Sequence, residues 1–100
     1  MRYRIAVVSG LSMIPTLAPG ERLLVRLDGP IVIGDIAVFK RADQFEVKRI
    51  ARIEAEGVFV QGDNDLVSTD SRIYGLVPHD DVIGVATYRL WPKPGRIKQG

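Results

Sequence analysis

The chain has 100 residues, enough for one hydrophobic core and too few for two. Hydrophobic residues make up 46% of it and charged residues 26%, which argues for a packed domain over a disordered chain. The net charge of +2 is scattered, so no nucleic-acid surface is indicated, and the lack of cysteine excludes disulfides, Cys-ligated metals and thiol catalysis.

In chain order, a glycine turn repeatedly precedes or closes a short β-branched run. Arg4–Val8 ends at Gly10, and Pro19-Gly20 introduces Arg22–Arg26. Gly34-Asp35 introduces Ile36–Phe39, Gly57 introduces Val58–Gln61, and Gly84 introduces Val85–Leu90. Runs of this length bounded by Gly, Pro and Asp read as strands. Phe45–Ile50 and Ile50–Ala55 read as two further strands or one long bent strand. No window holds a helical period, and Met13–Leu17 is long enough for a single turn only. The expected fold is therefore all-β, a barrel or a pair of coiled sheets. Residues 1–92 form the domain, and 93–100, with Pro94 and Gly95, are expected as a flexible tail. The apolar stretch Ile5–Val8 falls far short of the roughly 20 residues of a membrane span. It also lacks a signal-peptide core. The chain reads as soluble and cytoplasmic, with membrane association through a partner or a missing anchor left open.

Three segments carry chemistry. In Gly10-Leu11-Ser12-Met13-Ile14-Pro15-Thr16-Leu17, a strand ends and a serine starts a tight turn beside free backbone N–H groups. Taken alone, Ser12 reads as a turn cap. In Glu46-Val47-Lys48-Arg49-Ile50, strand alternation puts Lys48 on the face of Ile50. An inward lysine would lose its charge on burial and could accept a proton; an outward one would be an ordinary surface cation. The third segment runs from Gly62-Asp63-Asn64 through Ser68-Thr69-Asp70-Ser71-Arg72 to Tyr74-Gly75, short polar residues between glycines. It is no calcium loop, because the twelfth position from Asp63 is Tyr74 and not a bidentate Glu.

Ser-Met-Ile-Pro-Thr-Leu, Gly34-Asp35-Ile36, Val47-Lys48-Arg49-Ile50, the Gly-Asp-Asn turn and the Ser-x-Asp-Ser-Arg box, in this order, resemble the type I signal peptidase family. The resemblance runs from about Val8 to Trp91. It implies the small, coiled, barrel-like β-sheet of that family's catalytic core and serine endopeptidase activity with a Ser/Lys dyad. Ser12 would be the nucleophile and its backbone N–H an oxyanion donor, with Lys48 the general base. Ser68 would orient the Lys48 amine, Asp70 and Arg72 would form a supporting ion pair, and Asp63 and Asn64 would be structural members of their turn. No metal or other cofactor is implied. The partner would be an extended segment of a precursor protein, added as a strand between Val8–Ser12 and Phe45–Lys48. Val8, Gly10, Met13, Leu17 and Val47 are the candidate substrate-binding residues, with ordinary core as the competing reading for the four apolar ones. Some family members place a serine hydroxyl where this chain has Gly10, so a second oxyanion donor here would be a backbone group or water.

Lys40-Arg41 repeats the Lys-Arg pair, but Lys40 ends its strand beside a polar turn, which favours Lys48 as base. His79, the single histidine, lies in the turn composition Pro78-His79-Asp80-Asp81, which speaks against a Ser-His-Asp triad. Lys48 and Gly62 are 14 residues apart, without the insertion found in many relatives. With the Leu90-Trp91-Pro92 ending, this compactness resembles the maturation proteases that trim the leader of nickel superoxide dismutase. Processing of secreted preproteins and a non-catalytic peptide-binding module are the alternatives. Self-cleaving SOS-type repressors lack the Ser-x-Asp-Ser-Arg box, and their DNA-binding segment has no room here.

Overall fold

The computed structural model describes residues 2–67 and 69–97. Seven strands, all antiparallel, make one sheet in the order β1-β2-β6-β3-β4-β5, with β7 paired to β6. They are β1 (Tyr3–Val7), β2 (Arg22–Arg26), β3 (Ile36–Arg41), β4 (Gln44–Glu54), β5 (Gly57–Gln61), β6 (Val82–Trp91) and β7 (Gly95–Arg96). One turn of helix, α1 (Ser71–Tyr74), and a 3₁₀ turn (His79–Asp81) sit between β5 and β6. The all-β expectation holds.

β3 explains why the sheet coils. Its Ile36-Ala37-Val38-Phe39 run is buried at every position, which a strand open to water on one face could not be. Ile36 and Val38 join one core cluster with Val8, Met13, Leu17, Leu23, Val25, Ala86 and Ile97. Ala37 and Phe39 join a second with Ile50, Val58, Val60 and Val77. Successive side chains of one strand thus feed two cores on opposite faces. Gly84 on β6 permits the close approach this needs, since a Cβ there would run into the Arg26 carbonyl of β2.

β3 and β4 are joined by Ala42 and Asp43, both with positive φ (51° and 62°), as a two-residue hairpin loop requires. β4 is one bent strand of 11 residues. Gln44–Arg49 pairs with β3 and Arg49–Glu54 with β5, and the register slips between Ile50 and Arg52 where it bends. Gln44–Lys48 is consequently left with a free backbone edge among the described residues. β1, which pairs only with β2, has another.

The segment after Trp91 departs from the expected flexible tail. Gly95 and Arg96 pair with Arg89 and Tyr88, and Ile97 is 4% exposed within the first core cluster. Ile97 is the one aliphatic side chain beyond Trp91, and burying it folds the segment back. Residues 98–100 of that expected tail lie outside the described residues.

Candidate active site

The loop after β1 is held by its own apolar side chains. Met13 and Leu17, four residues apart on a single turn closed by the Leu17 N–H to the Met13 carbonyl at 2.9 Å, both point into the first core. Ser12 precedes this anchor and remains partly exposed. Gly10, at φ 78°, makes the preceding bend.

Polar groups from distant segments complete the hold. The Asn64 N–H donates to the Ser12 carbonyl at 2.8 Å, and Asn64 Nδ2 donates to the Leu11 carbonyl at 3.0 Å. Thr16 Oγ1 donates to Asp63 Oδ2 at 2.5 Å. Arg49 clasps the same carboxylate, through Nη2 at 2.7 Å and Nε at 3.2 Å, while its other amino group donates to the Gly34 carbonyl at 2.8 Å. Arg89 on β6 donates to the Thr16 carbonyl at 2.8 Å. Burial pushes the Asp63 carboxyl up, but the hydrogen bonds from Arg49 and Thr16 and the Arg49 charge outweigh it, so Asp63 ionises below the usual carboxylate range. The Gly-Asp-Asn turn is thereby a clamp on the serine loop.

Lys48 projects from β4 directly opposite Ala37 of β3, whose small side chain leaves room for the lysine stem. Its side chain is 8% exposed, and Nζ donates to Ser12 Oγ at 2.9 Å. Burial lowers its pKa from that of a free lysine; the nearby Glu46 and Asp70 carboxylates oppose the shift and Arg41 adds to it. Arg49, next along the strand, points to the other face and reaches Asp63, so one dipeptide supplies both a buried amine and a loop clamp.

Asp70 caps α1. Its carboxylate accepts from the Gly62 N–H at 2.9 Å and the Arg72 N–H at 3.1 Å, and from the Arg72 guanidinium at 2.7 and 3.0 Å. The Arg72 hydrogen bond, aided by those backbone N–H groups and working against burial, holds Asp70 down to about 2. Ser71 Oγ accepts from the buried Val60 N–H at 2.8 Å and fastens the same segment to β5. Ser68 lies outside the described residues.

Between the free edges of β1 and Gln44–Lys48 runs a groove of about 700 Å³. Val8, Met13 and Val38 form its buried floor, Gly10 and Val47 its walls, and the Ser12/Lys48 pair lies within it. Leu17 does not fit the expectation of a groove residue: it is fully enclosed in the core, because its turn aims it inward with Met13. The N–H of Ser12 donates to no group among the described residues and stands beside its own Oγ. Lys40 is exposed at the far end of β3. His79 is exposed as well, with Nε2 2.7 Å from the Glu54 carbonyl and away from the groove. Among the described residues no three His, Asp or Glu side chains converge as a metal site would need. None of their helices is long and apolar enough to cross a membrane.

Thr16, Arg49 and Ser71 stand in the sequence motifs without a role assigned to them, and Arg89 lies outside those motifs. Their contacts join residues up to 73 positions apart. Only Arg49 carried a signal, since alternation along β4 sends it to the face opposite Lys48.

The sequence profile of the family described as signal peptidase, peptidase S26, matches residues 41–91. The chain is 31% identical, over an alignment 118 positions long, to the mitochondrial ATP-independent inner membrane protease subunit 1b of Arabidopsis thaliana, covering 87% of this chain and 69% of that protein. Subunit 1a of the same plant is 30% identical over 115 residues, covering 85% and 68%. Signal peptidase IB of Staphylococcus aureus is 48% identical over a shorter stretch of 33 residues, 33% of this chain and 17% of that protein. With half its length matched by the profile and most of it aligned to two plant proteases, this chain belongs to the signal peptidase family, peptidase S26.

Proposed function

We propose that the chain is a serine endopeptidase in which Ser12 attacks and Lys48 is the general base. The observation that carries this reading is the 2.9 Å contact between Lys48 Nζ and Ser12 Oγ, formed by a lysine that is 8% exposed in a groove. A neutral Lys48 accepts the Ser12 hydroxyl proton as Oγ bonds to the scissile carbonyl carbon. The carbonyl oxygen gains negative charge and is met by the Ser12 N–H. Collapse breaks the C–N bond, the departing amine takes the proton from Lys48, and water hydrolyses the acyl-enzyme with Lys48 again as base. Asp63 and Asn64 hold the loop that carries Ser12, the Asp70–Arg72 pair ties Gly62 to α1, and orientation of the Lys48 amine is the role we assign to Ser68.

The substrate in this reading is an extended stretch of a precursor protein, seated as an added strand between β1 and Gln44–Lys48. Two free strand edges facing one groove support that mode, because each offers unpaired N–H and C=O groups. Val8, Gly10, Met13 and Val47 contact it, and removal of an N-terminal leader is the proposed outcome. The leader of nickel superoxide dismutase is one substrate of this kind. Processing of exported preproteins is the second reading, favoured by the likeness to signal peptidase IB and the inner membrane protease subunits. Incubation with both classes of leader peptide, read by mass spectrometry, separates them by which is cut. Binding without cleavage, unchanged in Ser12→Ala, would instead identify a non-catalytic peptide-binding module.

A further inference from the structure

Beside Lys48 is an arrangement of charges that the dyad alone does not explain. Glu46, two residues earlier on β4, shares the face of Lys48 and is itself largely enclosed, its side chain 16% exposed. Its Oε1 lies 3.9 Å from Lys48 Nζ and accepts from the Tyr74 hydroxyl at 3.3 Å. Its Oε2 accepts from Arg41 Nε at 2.8 Å. The Arg41 guanidinium in turn stacks over the Tyr74 ring, 4.0 Å from its centre. The end of β3, the start of β4 and α1 therefore meet at one carboxylate, fixed from two sides and turned toward the amine on the third.

Among the described residues, the charged groups acting on Lys48 are Glu46 from its own strand, Arg41 from β3 and Asp70 from the cap of α1, with Tyr74 of α1 reaching Glu46 behind them. Asp70 is already matched by Arg72, and Tyr74 stays protonated because burial and the Glu46 charge raise its pKa. Glu46 is the anion nearest the amine.

We propose that Glu46 is a positioning residue for the Ser12/Lys48 pair: held by Arg41 and Tyr74, its carboxylate steers the lysine amine onto the serine hydroxyl and sets the basicity at which that amine works. This rests on the reading of Lys48 as general base. Burial alone makes a lysine neutral but also a weak base, and a base is most effective when its pKa lies near the working pH. An anion close to Nζ opposes the effect of burial and keeps the amine basic enough to take a hydroxyl proton.

The test is the pH dependence of kcat/KM for the wild type and Glu46→Gln, on a peptide that the wild type cleaves. Without the carboxylate, Lys48 stays neutral to lower pH. The acid limb should move down by about one unit, with a several-fold fall in the plateau rate from the weaker base. Tyr74→Phe keeps the packing, frees one side of Glu46, and should move the limb the same way by less; it carries the test if Glu46→Gln does not fold. A limb that stays in place in the folded variants, or moves to higher pH, overturns the proposal, and a uniform loss of rate at every pH marks a purely structural role and does the same. Lys48→Ala, assayed alongside, separates the two levels. Retained turnover there removes Lys48 as base; lost turnover with an unmoved Glu46→Gln limb removes Glu46 alone.

Discussion

Ser12 and Lys48 touch, yet the protein holds them by different means. Ser12 rides on a loop anchored by Met13 and Leu17 and fixed further by polar side chains from far along the chain: Asp63, Asn64, Arg49 and Arg89. Lys48 rides on a strand whose position depends on sheet pairing and packing, with Ala37 opposite it and fully buried Ile50 beyond. The difference suits the roles proposed for the two residues. A nucleophile must be reachable, so its support cannot be a closed apolar shell. A lysine that is to work as a base must be shielded from water, which a paired and packed strand does, with Glu46 as the anion left beside it.

The comparison can be broken from either side, and the apolar side should show the largest effect. Ile50→Ala empties a fully enclosed site and is expected to cost about 3 kcal/mol, measured by denaturant unfolding. If water enters the vacated space, the Lys48 pKa rises toward that of a free lysine and the acid limb of the activity profile moves to higher pH. Loss of stability with no movement of that limb would mean that Ile50 does not keep Lys48 dry.

On the polar side, Asp63→Ala leaves Arg49 without its anion and Thr16 without its acceptor. Both side chains of the ion pair are less than a fifth exposed, 16% for Arg49 and 18% for Asp63, so the cost is expected near 2 kcal/mol. Turnover should fall through displacement of Ser12, while the acid limb keeps its place. A shifted limb would contradict the division of labour between the two supports.

A smaller effect is expected at Asp70. Its folded pKa of about 2 is below its ordinary 3.8, so the stabilisation is complete above pH 3.8 and is lost as the pH falls toward 2. Arg72 is 42% exposed, and solvent screening limits the gain to roughly 1 kcal/mol. Asp70→Asn should therefore flatten the acid edge of the stability–pH curve while leaving its neutral region lower. An unchanged acid edge would place the acid sensitivity elsewhere, with Asp63 the next carboxylate to replace.

How much of this was legible in the sequence follows the same division. The strands were readable from Gly turns and β-branched runs, and the bend of β4 from two strand patterns meeting at Ile50. Alternation put Lys48 on the face of Ile50 but left open whether that face points inward, which the structure shows it does. The turn formed by Met13 and Leu17 was visible too, but not that both aim into the core, which is why Leu17 was expected in the groove. The fold-back of Ile97 was hidden by a polar, Pro-rich context in which one aliphatic residue gives no period. Least legible were the clamps. Thr16 and Asp63 are 47 positions apart, and Glu46, Arg41 and Tyr74 meet only once a hairpin and a helical turn are built. A polar residue reads the same in sequence whether it meets water or a distant partner.

The most direct test compares Lys48→Ala with Lys40→Ala on a peptide the wild type cleaves. Lys40 lies on the neighbouring strand and is exposed, so its loss should leave kcat/KM within about twofold. Loss of Lys48 should reduce kcat/KM by roughly 10³-fold or more, with a native circular dichroism spectrum and Ser12→Ala as inactive as Lys48→Ala. Turnover retained in Lys48→Ala, or abolished in Lys40→Ala alone, would contradict the assignment of the base.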